Sequence, residues 1–171
     1  MTDWPSLLAE HGPRVWRTIY RVLCHHADAS DCYQETFLAA WRFAERQPVA
    51  DWRSFLTSLA TRRAIDRLRQ RVRARSVFAP LDGAPEPPGG DGPVEDAHLS
   101  ELIALVRAGL ARLPEKQAEV FWLSCVEGLT HAQISEQLSV PPGEVRVLLH
   151  RARGRLQHAL AAELTEAIDK P

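Results

Sequence analysis

Apolar positions recur at helical spacing over most of the chain, and no internal repeat or βαβ pattern interrupts them. After Gly12-Pro13, Val15, Ile19, Val22 and Leu23 predict one face of a first long helix. Asp28 can cap a second, with Tyr33, Phe37, Ala40, Trp41 and Ala44 as its inward stripe, and Gln47-Pro48 ends it. Asp51 caps a third, which turns Trp52, Phe55, Leu56, Leu59, Ala60, Ala64 and Leu68 inward. The pattern then stops. Between Ala79 and Pro93 come five prolines and four glycines with no periodicity, too polar and too proline-rich to build a core. Helices resume at His98 with Leu99, Leu102, Ile103, Val106 and Leu110. Leu113-Pro114 breaks that helix, Glu115 to Val126 forms another, and Gly128 suits the residue just past its end. The expectation is an all-α protein with two small helical domains, 1–76 and 97–168, joined by a Pro/Gly-rich linker over 77–96.

The last part of the pattern is the most specific. Thr130 and Gln133 form a capping box, and Ile134 and Leu138 give a short helix its apolar side. Ser139 to Gly143 breaks it with two prolines and a glycine. Val145, Leu149, Ala152 and Leu156 restart the stripe on a second helix that carries arginines. That is a helix-turn-helix, a motif whose second helix lies in the major groove and reads bases with its first residues.

Charge changes the picture because the near-neutral total of −1 hides a division. Residues 1–75 hold 13 arginines against 8 acids, and seven of those arginines fall between Arg62 and Arg75. Residues 76–97 hold five acids and no base. A local basic cluster, rather than the total, is the footprint of a nucleic-acid binder. On the third helix Arg62, Asp66, Arg69 and Arg73 share a face that Arg63, Arg67 and Arg71 broaden, opposite the apolar side. Such a face suits a nucleic-acid backbone; it is also the make-up of a solvated face paired internally to Asp66. Trp52 and Phe55 fit core packing better than base stacking.

Other chemistries find little support. Cys24, His25, His26 and Cys32 lack the paired spacing of a zinc site, and Cys125 reads as a core residue. Three cysteines at irregular spacing argue against a disulfide framework. The chain has no Gly-rich phosphate loop, no H-E-x-x-H and no G-x-S-x-G, so neither catalysis nor a metal or cofactor is expected. No apolar run approaches a membrane span, and the acid-bearing start lacks a signal peptide's basic region, so a cytoplasmic protein is expected.

Three segments together carry a resemblance. DASDCYQETFLAAWR resembles the D-A-x-D-x-x-Q-E-x-F-x-x-x-W segment in region 2 of bacterial sigma factors of the extracytoplasmic-function type (group IV). FLTSLATRRAIDRLRQR is similar to that family's next segment, and the stretch from Leu113 to Leu156 is similar to its region 4. The resemblance implies a transcription initiation factor that joins core RNA polymerase and directs it to promoter DNA. It implies contact with the polymerase clamp helices through Asp31, Gln34, Glu35, Leu38, Trp41 and Arg42. It places melting of the −10 element on Arg62, Arg63, Asp66 and Arg69, with the preceding loop, Arg46 to Asp51, capturing a flipped base. It places −35 reading on Glu144, Arg146, Val147, His150 and Arg151. The acidic linker would thread polymerase channels, and an anti-sigma factor is a frequent partner in the family. Arg62 stands where the family usually has Asn, and Val147 and Leu148 where it often has small polar or basic residues. Val147 can touch a thymine methyl but cannot donate a hydrogen bond, which predicts a divergent −35 preference. Glu144 can accept from cytosine N4 or stabilise the helix start. The alternative is a stand-alone helix-turn-helix regulator that binds operators as a dimer.

Overall fold

The structure is a computed structural model that describes residues 2–77 and 97–168, with side chains for 2–74 and 103–161. Of the expected linker, all but Val77 lies outside the described residues, and so does its proposed threading. Seven helices make up the described residues: α1 (Trp4–Leu23), α2 (His26–Ala44), α3 (Trp52–Val77), α4 (Ala97–Arg112), α5 (Glu115–Cys125), α6 (His131–Leu138) and α7 (Pro142–Ile168). The all-α expectation holds.

Helix α1 begins nine residues before Pro13 and runs through it, rather than starting after Gly12-Pro13. Asp3 caps it, accepting from the Ser6 backbone N–H at 3.4 Å and the Ser6 hydroxyl at 2.6 Å. The early turns are held by burial of Leu7 and by Trp4, which meets Trp52 of α3 edge-on at 5.5 Å. That packing offsets the one hydrogen bond a mid-helix proline removes. At Gly12 the helix touches α2 so closely that a Cβ would sit 2.6 Å from the Tyr33 hydroxyl.

Helix α2 starts at His26, with His25 as its cap and Asp28 in the first turn, not as the cap. Its buried stripe is Ala29, Cys32, Thr36, Phe37 and Ala40. Trp41, one position beyond Ala40, falls off that stripe and is 45% exposed, against the inward position its periodicity predicts. Helix α3 packs on both α1 and α2, burying Leu56, Ala60, Ala64, Ile65 and Leu68.

One core runs through both groups of helices. Leu110, Leu113, Ala118, Trp122, Ala152 and Leu156 join the cluster built by α1, α2 and α3. A second cluster of Val120, Leu123, Ile134, Val140, Val145 and Leu149 lies under the α6–α7 turn. Cys125 is exposed at the end of α5, not in the core, because the helix stops there and its sulfur turns toward Arg153 (3.6 Å). All three cysteines are free.

Candidate nucleic-acid interface

The α6–α7 unit is built as its sequence predicts. The Thr130 hydroxyl accepts from the Gln133 N–H at 3.3 Å, and the Gln133 carbonyl oxygen accepts from the Thr130 N–H at 2.9 Å. Gly128 takes φ +71° just before this cap, a conformation in which any side chain is strained. Ser139 ends α6 in the left-handed region (φ 51°), and Ser135 donates to the Val140 carbonyl at 2.6 Å, which closes the turn. Pro142 then opens α7, where its missing N–H costs nothing. Val145 and Leu149 are buried, which fixes the rotation of α7. The opposite face carries Glu144, Arg146, Val147, His150 and Arg151, all exposed; Arg153 and Arg155, which the sequence reading did not single out, are exposed on its flanks, Arg153 beside the Cys125 sulfur. Lys116 of α5 approaches Glu144 at 4.0 Å.

The predicted polymerase-facing residues also share one exposed surface. Asp31, Gln34, Glu35, Leu38, Trp41 and Arg42 follow helical spacing along α2, and Leu38 is 50% exposed. Beside them, Cys32 is buried, and that burial pushes its thiol up to about 11.

The arginines of α3 divide, contrary to the single face their spacing suggests. Arg63, Arg67 and Arg71 turn toward α2. Arg63 meets Glu35 at 3.4 Å, Arg67 meets Asp28 at 3.3 Å and Asp31 at 3.0 Å, and Arg71 meets Asp28 at 3.2 Å. Arg71 also donates to the Leu23 carbonyl at 3.2 Å, covering the end of α1. Arg62 and Arg69 turn the other way, toward α4 and α5. Arg62 meets Glu115 at 2.9 Å, and Arg69 donates to the Leu113 carbonyl at 2.7 Å while meeting Asp66 at 3.4 Å.

Of the α2–α3 loop, Arg46 is exposed and Asp51 caps α3 through the Ser54 N–H at 3.1 Å. Hydrogen bonds from the Ser54 side chain and backbone hold the Asp51 carboxyl below the usual carboxylate range. Val49, Ala50 and Asp51 face Gln137, Leu138 and Leu148 across a cleft of about 740 Å³.

Four residues here had no signal in the sequence: Leu113 and Glu115, which hold the arginines, and Glu119 and Glu127. Glu119 is 7% exposed, and burial pushes its carboxyl up to about 7 against the pull of Arg62. Glu127 accepts from the Thr18 hydroxyl at 3.0 Å.

An exposed, arginine-bearing recognition helix and an arginine-dense helix in one all-α chain define a class, and comparison with known proteins places it. The sigma-70 region 2 family model matches residues 7–74, and the sigma-70 region 4 model matches residues 103–156. The extracytoplasmic-function RNA polymerase sigma factor SigE of Mycolicibacterium smegmatis is 32% identical over 166 residues, covering 97% of this chain and 65% of that protein. The ferric citrate uptake sigma factor FecI of Escherichia coli is 30% identical over 159 residues, covering 93% and 90%. The chain belongs to the extracytoplasmic-function family of RNA polymerase sigma factors. In fold it is similar to the sigma factor RpoE of Bartonella quintana, solved in complex with the anti-sigma factor NepR. That match has a TM-score of 0.56 and 19% identity, and covers 94% of this chain and 98% of that one. The chain spans about two thirds (65%) of SigE's length. Among the described residues no helix is long and apolar enough to cross a membrane.

Proposed function

We propose that this chain is a transcription initiation factor that binds core RNA polymerase and directs it to specific promoters. Residues 1–76 form region 2, 77–96 the linker and 97–168 region 4. The observation that carries the reading is the pair of open surfaces on one chain: the α2 face with Leu38 and Trp41 uncovered, and the α7 face with Arg146 at its start. The first offers apolar area ringed by acids, suited to a basic amphipathic helix of the polymerase clamp. Asp31, Gln34, Glu35, Leu38, Trp41 and Arg42 make that contact. The second offers Glu144, Arg146, Val147, His150 and Arg151 to the −35 duplex, and the arginine can take guanine bidentately. Arg62, Arg63, Asp66 and Arg69, with Arg46 and Asp51 in the loop before them, hold the opened −10 strand.

The protein makes no bond itself and acts in the cytoplasm, where core polymerase and promoter meet. An anti-sigma factor is a fitting regulator, as the complex of RpoE with NepR suggests. No observation favours the operator-binding regulator. The test is affinity for bacterial core RNA polymerase by fluorescence anisotropy. Tight binding that an Asp31→Ala/Gln34→Ala variant loses supports the reading; a dimer that binds duplex DNA unaided and ignores polymerase overturns it.

A further inference from the structure

We propose that Trp16, Tyr20 and Tyr33, with Arg17 and Arg21, form a site for single-stranded DNA on the outer face of α1, apart from the −10 residues of α3. These side chains line a shallow, open groove of about 570 Å³ between α1 and α2. Val15, Ile19 and Val22 turn the other side of α1 into the core. None of the residues assigned above to polymerase, the −10 strand or the −35 duplex lines the groove. Trp16 and Tyr20, four residues apart on one side of the helix, lie in near-parallel planes, with 6.0 Å between ring centres and 18° between the planes. Tyr33 of α2 stands across Trp16 at 6.0 Å, and Gly12, with no Cβ, leaves room for its hydroxyl.

Arg17 and Arg21 are both exposed and also four residues apart, about 6 Å along the helix. Among the described residues no hydrogen bond or ion pair engages either guanidinium; Arg107 meets the Arg21 carbonyl, not its side chain. No acid lines the groove. Free guanidiniums beside open aromatic rings suit a ligand that is anionic and has flat faces. An unpaired nucleotide is both: its base stacks on a ring, and its phosphate takes a guanidinium. Duplex DNA keeps its base faces covered along its length. A free nucleotide needs walls that bury most of its surface. An open groove with two cations in line instead suits a strand that runs on past either end. The strand freed when a promoter opens is such a ligand. That source rests on the function proposed above; the chemistry of the groove does not.

The test is anisotropy of the full chain with fluorescein-labelled oligothymidylate over a series of salt concentrations. Arg17→Ala/Arg21→Ala should lower affinity and flatten the slope of log affinity against log salt by about 1.4, which is ~0.7 for each of two phosphates. Tyr20→Leu keeps apolar bulk against the core but removes the ring, and should weaken binding about fivefold or more at an unchanged slope. The arginine pair is exposed, so its result stands even if Tyr20→Leu fails to fold. A parent that does not bind oligothymidylate, or an arginine variant equal to it in affinity and slope, overturns the site. A loss confined to Arg62→Ala/Arg69→Ala does so too, by placing the strand on α3. A parent that prefers oligouridylate overturns DNA as the ligand. An arginine variant that keeps its DNA affinity but loses core polymerase makes the groove a protein contact, which also overturns the site. The function proposed above fails on a separate result, a parent that does not bind core polymerase.

Discussion

Helices α3 and α7 both carry arginines over a buried apolar side, yet their polar faces are in opposite states. On α7 the face is open, with Arg146, His150, Arg151 and Arg155 exposed, while Arg153, also exposed, leans on the Cys125 sulfur. On α3, Arg62, Arg63, Arg67, Arg69 and Arg71 each hold a carboxylate or a carbonyl. The cause is position, not composition. The first turns of α7 project past the helix-turn-helix core, whereas α3 is central and touches α1, α2, α4, α5 and α6. A basic face on a central helix acquires internal partners; the same face on a peripheral helix is left open to solvent. In the proposed reading, the α7 face is open to the −35 duplex, while the α3 arginines assigned to the −10 strand already hold protein acceptors.

The comparison breaks most completely if the support under α7 is removed. Ile134 is fully buried beneath the turn, and Ile134→Ala should cost ~2–5 kcal/mol, read as a lower urea midpoint by circular dichroism. Duplex −35 binding should fall with it. Unchanged stability would mean that the turn does not depend on this cluster. Next in size, Arg146→Ala should leave the fold intact and relax one −35 position by ~1–3 kcal/mol. Transcription from a panel of −35 variants checks this, and an unchanged base preference would remove Arg146 from the reading set.

The α6–α7 half was the more legible. The capping box at Thr130, the break at Ser139 to Gly143 and the stripe Val145, Leu149, Ala152, Leu156 are local signals, set by residues a few positions apart, and each has its counterpart in the structure. Helix spacing also put Asp31 to Arg42 on one face. What it could not resolve were choices made by distant partners. Trp41 fits a loose apolar stripe equally well inside or outside, and the narrow stripe ending at Ala40 decides it. The division of the α3 arginines depends on Glu35 and Asp28 on one side and Glu115 on the other, contacts across 28 to 53 positions of sequence. Helix α1 was predicted too short because Pro13 reads as a start, whereas Asp3 and the Trp4–Trp52 contact carry the helix through it.

A sharper probe of the occupied side is Asp28, which holds Arg67 and Arg71 and is mostly shielded from solvent. Asp28→Ala strands both guanidiniums, yet each keeps a second acceptor, Asp31 and the Leu23 carbonyl. Those guanidiniums remain partly solvated, so the expected loss is about 1–2 kcal/mol rather than that of a buried pair. Chemical denaturation reads the loss, and −35 duplex affinity should not move. A fall in −35 affinity would mean that α3 and α7 are coupled rather than separate.

A further probe is a pH dependence, and its sign is fixed by Glu119. Burial raises this carboxyl from 4.5 to about 7, while Arg62 and Arg69 pull it down and Glu115 and Asp66 push it up. A raised carboxyl means that the folded form holds the proton more tightly than the unfolded chain. Its favourable contribution is therefore whole below 4.5 and is lost as pH rises through about 7. The fold should lose stability across that window, seen as a falling urea midpoint. Glu119→Gln keeps the shape without the ionisation, so it should flatten the part of the slope that belongs to this residue. Equal slopes in parent and variant would take Glu119 out of that dependence, and a parent that gains stability with rising pH in a way the variant does not would reverse the assignment of its charge state. With that result in hand, the occupied faces of α3 would be defined by their acceptors alone, and the contrast with α7 would rest on Leu113 and Glu115 on one side and Asp28, Asp31 and Glu35 on the other.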